Sequence, residues 1–317
     1  KLLLSAIAIE KNVVPHDWKV ECNGIYHFHD TVFRCWNPEG HGAINLLDAL
    51  KGSCNIYFYN LMQKVKFSDW SDESKKFGFG FPTGIDLPEE KSGLVPDRQY
   101  MNERYRNSGG WSKGHLLNLS IGQGEVSVTP MQIIQLINII VNNGSMYSPH
   151  LNLEYDLEEK KINYKDDVWK FLRKSMYAAV NHKGGTAYNA KIDESFGQVY
   201  GKTGTAQVCS NCDLEPHGWF AGFIELLEDK ISETKISADI FKDNLKDKIV
   251  VISCHLTYDM YKKANEIGVK GIICAAIDYE TLSKILGHRL GVAITGMEDT
   301  ATIIVTEGFG EISMADK

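Results

Sequence analysis

Tyr200-Gly201-Lys202-Thr203-Gly204-Thr205-Ala206-Gln207 is the stretch on which the reading of this chain turns. It reads as the end of a β-strand in which Lys202 supplies positive charge, Thr203 and Thr205 supply hydroxyls, and Gly201 and Gly204 flank the lysine. A glycine inside a strand marks a place where another backbone or a ligand comes close. The expectation is a strand whose backbone lies open to a substrate. Downstream, Gly218-Trp219-Phe220-Ala221-Gly222-Phe223 reads as a second strand, antiparallel to the first. A Lys-Thr-Gly is also the end of many ordinary strands, so its meaning depends on partners elsewhere.

Composition sets the outer bounds. With 317 residues, 43% hydrophobic and 24% charged, the chain has room for one large domain or two ordinary ones, each with its own core. A formal charge of -7 without a Lys/Arg cluster argues against a nucleic-acid binder, which needs clustered cations on the phosphate backbone. Seven cysteines at uneven spacing point to metal binding for some of them rather than to a disulfide framework alone. The apolar run from Leu2 to Ile9 is too short to span a bilayer and is followed at once by Glu10 and Lys11. No signal peptide or membrane span is read. The chain opens on Lys1 directly against a helix-like run, with no capping residue before it, and so reads as a fragment of a longer protein.

In chain order, residues 1 to 14 predict a buried helix that stops before Pro15. Residues 18 to 37 predict a hairpin around Asn23-Gly24 and Asp30, and Asn45 caps a short helix towards Lys51. Ser53-Cys54-Asn55 heads an aromatic helix, where a Ser and an Asn two apart are most often caps. Residues 77 to 111 read as long surface loops. Leu119 to Gln132 predicts a strand with two glycines running into a helix that Thr129 caps, with Pro130 at its first position. Residues 151 to 165 read as charged and peripheral, and Asp166 or Asp167 caps a helix that stops at Lys183-Gly-Gly-Thr-Ala187. After a charge-dense stretch from Glu225 to Lys248, strands and helices alternate at 249–253, 257–267, 271–277 and 279–286. Apolar runs follow at 291–295 and 302–306. That alternation predicts a small α/β unit with parallel strands. No Gly-x-Gly-x-x-Gly or P-loop accompanies it.

Lys202-Thr203-Gly204 does have partners. Ser53-Cys54-Asn55 precedes it, and Ile121-Gly-Gln-Gly-Glu-Val-Ser-Val-Thr-Pro-Met-Gln132, Gly185-Thr-Ala187 and Gly218-Trp-Phe220 fall in family order around it. Over residues 1 to 223 the chain resembles the transpeptidase domain of class B penicillin-binding proteins, nearest in pattern to the elongation-type penicillin-binding protein 2. The resemblance implies a mixed α/β (α+β) penicillin-binding/β-lactamase-like fold, an antiparallel sheet with helices, followed here by the small α/β segment. The resemblance covers a partial transpeptidase domain over 1–224; the change of character beyond it marks a charged linker over 225–248 and a small α/β domain of unknown function over 249–317, joined by fusion, the alternative being that 249–253 and 257–267 are the family's own last strand and helix. Lys1 takes the place of the lysine in the family's Ser-x-x-Lys motif, which puts the nucleophilic serine three residues before it. Ser5, a turn inside the helix, is no substitute.

The resemblance further implies residue roles and partners. Lys1 is the base for the serine, its pKa lowered by burial beside Lys202. Ser53 relays the proton and Asn55 binds the substrate amide. Lys202, Thr203, Gly204 and Thr205 make the carboxylate-binding strand, the Thr205 N–H being half of an oxyanion hole. The implied substrates are peptidoglycan stem peptides, with β-lactams acylating the same serine. The implied place is the periplasmic face of the bacterial inner membrane, among cell-elongation membrane proteins and held by an anchor outside these residues. Two other expectations stand beside this one: a catalytically dead fragment or fusion acting as a binding or scaffold module, and a β-lactam sensor or hydrolase of the same fold.

Catalysis of this kind needs no cofactor. Cys22, Cys35, His41 and Cys54, within 33 residues, form a Cys₃His set of the kind that holds a structural zinc. A Cys22–Cys35 disulfide across the hairpin, or buried thiols beside a loop histidine, are the alternatives. Cys209 and Cys212 are two ligands short of a zinc site and equally form a disulfide, while Cys254 and Cys274 fall in apolar strands as inert thiols. His217 reads as a packing residue.

Overall fold

Contacts divide the chain into two units in the computed structural model, which describes residues 1–151, 159–194, 197–206, 216–225, 238, 241–242, 245–286 and 302–309. The first unit takes residues 1–148 and 157–188; the second takes 149–156 and 189–317. No helix among the described residues is long and apolar enough to cross a membrane.

The first unit is built on helices whose apolar faces match their burial. α1 (Leu2–Glu10) is apolar all round and buries Leu2, Leu4, Ser5, Ala6, Ile7 and Ala8, as a helix inside a core does. Each buried Leu or Ile contributes about 1.5–3 kcal/mol over an exposed one. β1 (Val20–Cys22) follows, then β2 (Ile25–Phe28) and β3 (Thr31–Arg34), which pair as a hairpin with Ile25 opposite Arg34. The turn falls at His29-Asp30. Asn23-Gly24 instead bends the chain out of β1, because β1 pairs with β4 (Gly42–Ile44). Gly24, at φ +88, lies so close to Pro38 O that a side chain there would collide with it.

α2 (Leu46–Lys51) is capped by Asn45, whose side chain accepts the Asp48 N–H at 3.0 Å. α3 (Asn55–Lys64) buries Ile56, Tyr57, Phe58, Tyr59, Leu61 and Met62. α4 (Phe67–Lys76) follows, and the stretch expected to be loop contains α5 (Arg98–Arg104), capped by Asp97 through the Tyr100 N–H at 2.9 Å. The segment from Leu119 is not a strand. Leu119 and Ser120 close α6 (Lys113–Ser120), which Ser112 and His115 start as a capping box, and Gly122 and Gly124 then turn the chain at φ +81 and +79.

α7 (Pro130–Val141) has Thr129 as its N-cap and Gln132 completing the box. β5 (Ser145–Tyr147) and β6 (Glu159–Lys161) pair antiparallel. α8 (Asp166–Asn181) packs on α1, α2 and α7, with Asp166 and Asp167 in its first turn and Lys165 at the cap position. One buried carboxylate joins three of these helices. Glu73 on α4 accepts from Tyr164 Oη at 2.7 Å, Lys76 Nζ at 3.0 Å and Lys11 Nζ at 3.1 Å, tying the exit of α1 and the approach to α8 together. Burial pushes its pKa up, but the bonds from Tyr164, Lys76 and Lys11 more than offset this and hold it below the ordinary 4.5.

The second unit holds the opening stretch. β7 (Gln198–Ala206) and β8 (His217–Glu225) form the expected antiparallel pair, in which Lys202 faces Ala221 and Thr203 faces Phe220. Gly201 owes its lack of a side chain to Phe220, whose ring fills the place a Cβ would take. The close neighbour expected to be a backbone or a ligand is a cross-strand side chain. Gly222 meets the backbone expectation instead, lying against Tyr200 O.

Beyond them β9 (Ile249–Leu256), α9 (Tyr258–Ile267), β10 (Gly271–Ile277), α10 (Tyr279–Leu286) and β11 (Thr302–Phe309) give a parallel three-stranded sheet in the order β11-β10-β9, as the alternation predicts. Ile252, Leu256, Met260, Ile272 and Ile277 are among its core residues. Cys274 is buried, as expected of a thiol in an apolar strand. Cys209, Cys212 and the run 291–295 lie outside the described residues.

Candidate active site and thiol cluster

Lys1 sits at the N-cap position of α1 without capping it through its side chain. Its ammonium reaches across to the turn before α3 instead. Nζ donates to Ser53 O at 2.8 Å, Ser53 Oγ at 3.1 Å and Asn55 Oδ1 at 2.7 Å, and lies 5.7 Å from the centre of the Phe58 ring. Burial of the ammonium pulls its pKa from 10.5 down to about 8, against the opposing pull of Cys54 and Cys35. A neutral amine keeps its contact with Ser53, because a hydroxyl can turn from acceptor to donor.

The Ser-Cys-Asn turn departs from the capping pattern. Neither Ser53 nor Asn55 caps α3; Cys54 does, its Sγ accepting the Tyr57 N–H at 3.4 Å. Ser53 takes a left-handed backbone at φ +52, unusual for a residue with a side chain. That conformation lets its carbonyl and its hydroxyl both meet Lys1 while Cys54 turns inward. Asn55 divides its amide, accepting from Lys1 through Oδ1 and donating through Nδ2 to Arg34 O at 3.3 Å. Trp36, which sequence reasoning did not single out, donates its indole N–H to Gly52 O at 2.9 Å and is 57% exposed. Its place directly after Cys35 was the one signal in the sequence.

The four expected metal ligands are brought together. The ligand atoms of Cys22, Cys35, His41 and Cys54 all lie within 4.8 Å of one another. His41 Nδ1 is 3.5 Å from Cys22 Sγ and 3.6 Å from Cys35 Sγ, and Cys35 Sγ is 4.0 Å from Cys54 Sγ. A tetrahedron with Zn–S of about 2.3 Å and Zn–N of about 2.0 Å has N···S edges of about 3.5 Å and S···S edges of about 3.8 Å. The two N···S contacts, at 3.5 and 3.6 Å, match those edges, and the Cys35–Cys54 contact, at 4.0 Å, is slightly longer. The three sulfurs are buried thiols, with Cys22 and Cys35 not joined. The Cys35 thiol is pulled down by the bond from Cys54, helped by the backbone N–H groups of Asn37 and Asn55, while Cys54 is pushed up by the same pairing and by burial. A sulfur that already collects N–H donors is prepared to be a thiolate. His41 Nε2 is buried without a partner among the described residues.

Of the residues expected to bind a carboxylate, Lys202 is 9% exposed and donates from Nζ to Thr203 O at 3.1 Å. Gly204 and Thr205 are exposed at the end of β7, and Thr203 is half-buried. These residues belong to the second unit and Lys1, Ser53 and Asn55 to the first. Gly185-Thr-Ala187 turns the chain after α8, where Thr186 N donates to Lys51 O at 3.1 Å and Ala187 N to Ala179 O at 3.0 Å.

The family model described as "Penicillin binding protein transpeptidase domain" matches residues 1–232. Among curated relatives, the peptidoglycan D,D-transpeptidase MrdA of Haemophilus influenzae is 33% identical over 227 residues, which are 64% of this chain and 34% of that protein. The MrdA of Acinetobacter baumannii is 34% identical over 234 residues, 65% of this chain and 34% of that protein. The chain thus spans about a third of the length of these relatives. Among solved structures, the complex between penicillin-binding protein 2 and MreC from Helicobacter pylori superposes with a TM-score of 0.64 at 30% identity, covering 71% of this chain and 42% of that one.

Proposed function

The chain belongs to the penicillin binding protein transpeptidase domain family, in the likeness of penicillin-binding protein 2, and we propose that its residues serve serine acyl transfer between peptidoglycan stem peptides. The observation that carries the reading is the bonding of Lys1 Nζ to Ser53 Oγ and Asn55 Oδ1, groups 52 and 54 positions away. Lys1, with its pKa near 8, is the base. It takes the hydroxyl proton of the serine that the Ser-x-x-Lys pattern places three residues before it, as that oxygen attacks the penultimate D-alanine carbonyl. Ser53 passes a proton to the departing amine, and Asn55 turns one amide group to the substrate backbone.

Lys202, Thr203 and Thr205 take the terminal carboxylate, Gly204 keeps the strand slim beside it, and the Thr205 N–H gives half of an oxyanion hole worth about 3 to 4 kcal/mol per donor. The amine of a second stem peptide resolves the acyl-enzyme, and β-lactams acylate the same serine. The place of work is the periplasmic face of the inner membrane beside elongation proteins, supported by the relatives' peptidoglycan chemistry and by the MreC complex of the H. pylori protein. Residues 1–224 form the transpeptidase portion in this reading, 225–248 a linker and 249–317 an α/β segment that shares the second unit with β7 and β8.

Fluorescent penicillin tests the proposal on the protein with Ser-x-x joined before Lys1. Stable labelling that rises as pH climbs through about 8, and is lost in Lys1→Met, is expected. No label with the serine present overturns acyl transfer in favour of a scaffold module, and rapid release of the label favours a hydrolase.

A second proposal rests on the thiol cluster. Cys22, Cys35, His41 and Cys54 hold a structural zinc, which supplies charge neutralisation and rigidity and takes no part in the chemistry. Because Cys54 lies between Ser53 and Asn55, the metal would fix the backbone from which both reach Lys1.

A further inference from the structure

Trp36 stands 57% open to solvent, yet its indole N–H is committed to Gly52 O at 2.9 Å. Single exposed aromatics need no purpose of their own. This one reaches the carbonyl directly before Ser53, the residue whose hydroxyl meets Lys1.

A residue's φ and ψ are the turns between the two rigid peptide planes that flank it. For Ser53 those planes are held from different directions. The plane after it carries Ser53 O, which accepts from Lys1 Nζ at 2.8 Å, and the Cys54 N–H, which donates to Ala49 O at 2.9 Å. The plane before it carries Gly52 O, which accepts from Trp36, and the Ser53 N–H, whose bond to Leu50 O is long at 3.3 Å. Of these four bonds the later plane has two short ones, and the earlier plane has one, from Trp36.

That bond matters because Ser53 sits at φ +52, a left-handed backbone that a residue with a Cβ keeps only when its surroundings hold it there. The indole is itself aimed. Trp36 follows the buried Cys35, and its ring meets the His41 ring edge-on with centroids 5.5 Å apart. His41 in turn lies against Gly52, where a Cβ would come within 3.2 Å of its Cδ2. Glycine at 52 lets imidazole and indole take hold of one peptide unit.

We propose that Trp36 is a positioning residue for acyl transfer: its N–H fixes the Gly52–Ser53 peptide, so that Ser53 keeps its left-handed turn and its hydroxyl stays on Lys1. The proposal rests on the acyl-transfer reading of Lys1 and Ser53 and adds to it a residue that acts through the backbone.

Two variants test it. Trp36→Phe keeps a ring against His41 and cannot donate, while benzothienylalanine placed at position 36 keeps the indole shape and lacks only the N–H. In the chain itself, with or without the nucleophile, the backbone chemical shifts of Ser53 report its φ by NMR. Both variants are expected to move those shifts away from left-handed values with little change in Tm. In the protein with Ser-x-x joined before Lys1, both are expected to slow acylation by fluorescent penicillin about tenfold, the loss of one hydrogen bond. Ser53 shifts that stay left-handed in both variants overturn the proposal whatever the labelling shows; slower acylation would then make the exposed ring a substrate contact. Moved shifts with unchanged acylation overturn it too. A protein that takes no label even with Trp36 and the serine present fails the acyl-transfer reading, and the Ser53 shifts alone then decide whether Trp36 sets the turn.

Discussion

The turn at Ser53–Asn55 and the strand at Lys202–Thr205 carry the two motifs of this chain, and they are held in place by different means. The turn is fixed by groups from distant parts of the sequence: the Lys1 ammonium, the Arg34 carbonyl and the Trp36 indole from the β3 side, and Cys22, Cys35 and His41 around the turn's own Cys54. The strand is fixed by its own ladder with β8 and by glycines that admit Phe220 and the Tyr200 carbonyl. A turn built by convergence loses its shape when one contributor is removed. A strand built by register loses it only when the ladder is forced apart.

The largest expected effect breaks the turn and spares the strand. Removing metal with a chelator, or Cys35→Ser, is expected to lower the stability of the first unit by several kcal/mol, since a structural zinc contributes folding energy directly. Calorimetry with metal analysis reads it; no stoichiometric zinc and no change in Tm would end the metal proposal. Next comes the strand. Gly201→Ala drives a Cβ into the Phe220 ring and costs about 1–3 kcal/mol, with Phe220→Leu restoring part of the loss and metal content unchanged. Failure of that rescue would mean that the ring is not the obstacle.

A smaller effect lies at the carboxylate on α4. Glu73→Gln is expected to cost about 1 kcal/mol at neutral pH by weakening its bonds to Lys11, Lys76 and Tyr164. The folded carboxyl lies below the ordinary 4.5, so its contribution is complete above that value and disappears as pH falls through the depressed pKa. Denaturation curves of the two proteins should therefore converge in acid; a constant gap would show that Glu73 acts through packing alone.

What the sequence made legible was mostly local. Asn45 and Thr129 cap within three residues of themselves, so their roles can be read from spacing, and the strand pair was visible from its two glycine-marked stretches. Gly122 and Gly124 suggested a strand because α6 buries its leucines without a strong stripe, and the helix start at Ser112 lies outside the run that drew attention. The Lys1 contacts follow from no local rule, since they span more than fifty positions; only the likeness of motifs pointed to them. Cys54 as a cap was hidden because sulfur is a weak acceptor and rarely chosen for that position. The Phe220 ring behind Gly201 depends on register, which a single strand does not reveal.

Ser53 holds a left-handed backbone that glycine adopts freely and serine at a cost of about 1 kcal/mol. Ser53→Gly is therefore expected to leave the fold as stable as before or slightly more so, while removing the hydroxyl that meets Lys1. An engineer selecting this chain for heat resistance would be drawn to that substitution and would lose the hydroxyl that meets Lys1, and with it the proposed proton relay, by accepting it. Position 53 sets durability against chemistry, and a screen that scores only folding would choose the wrong residue.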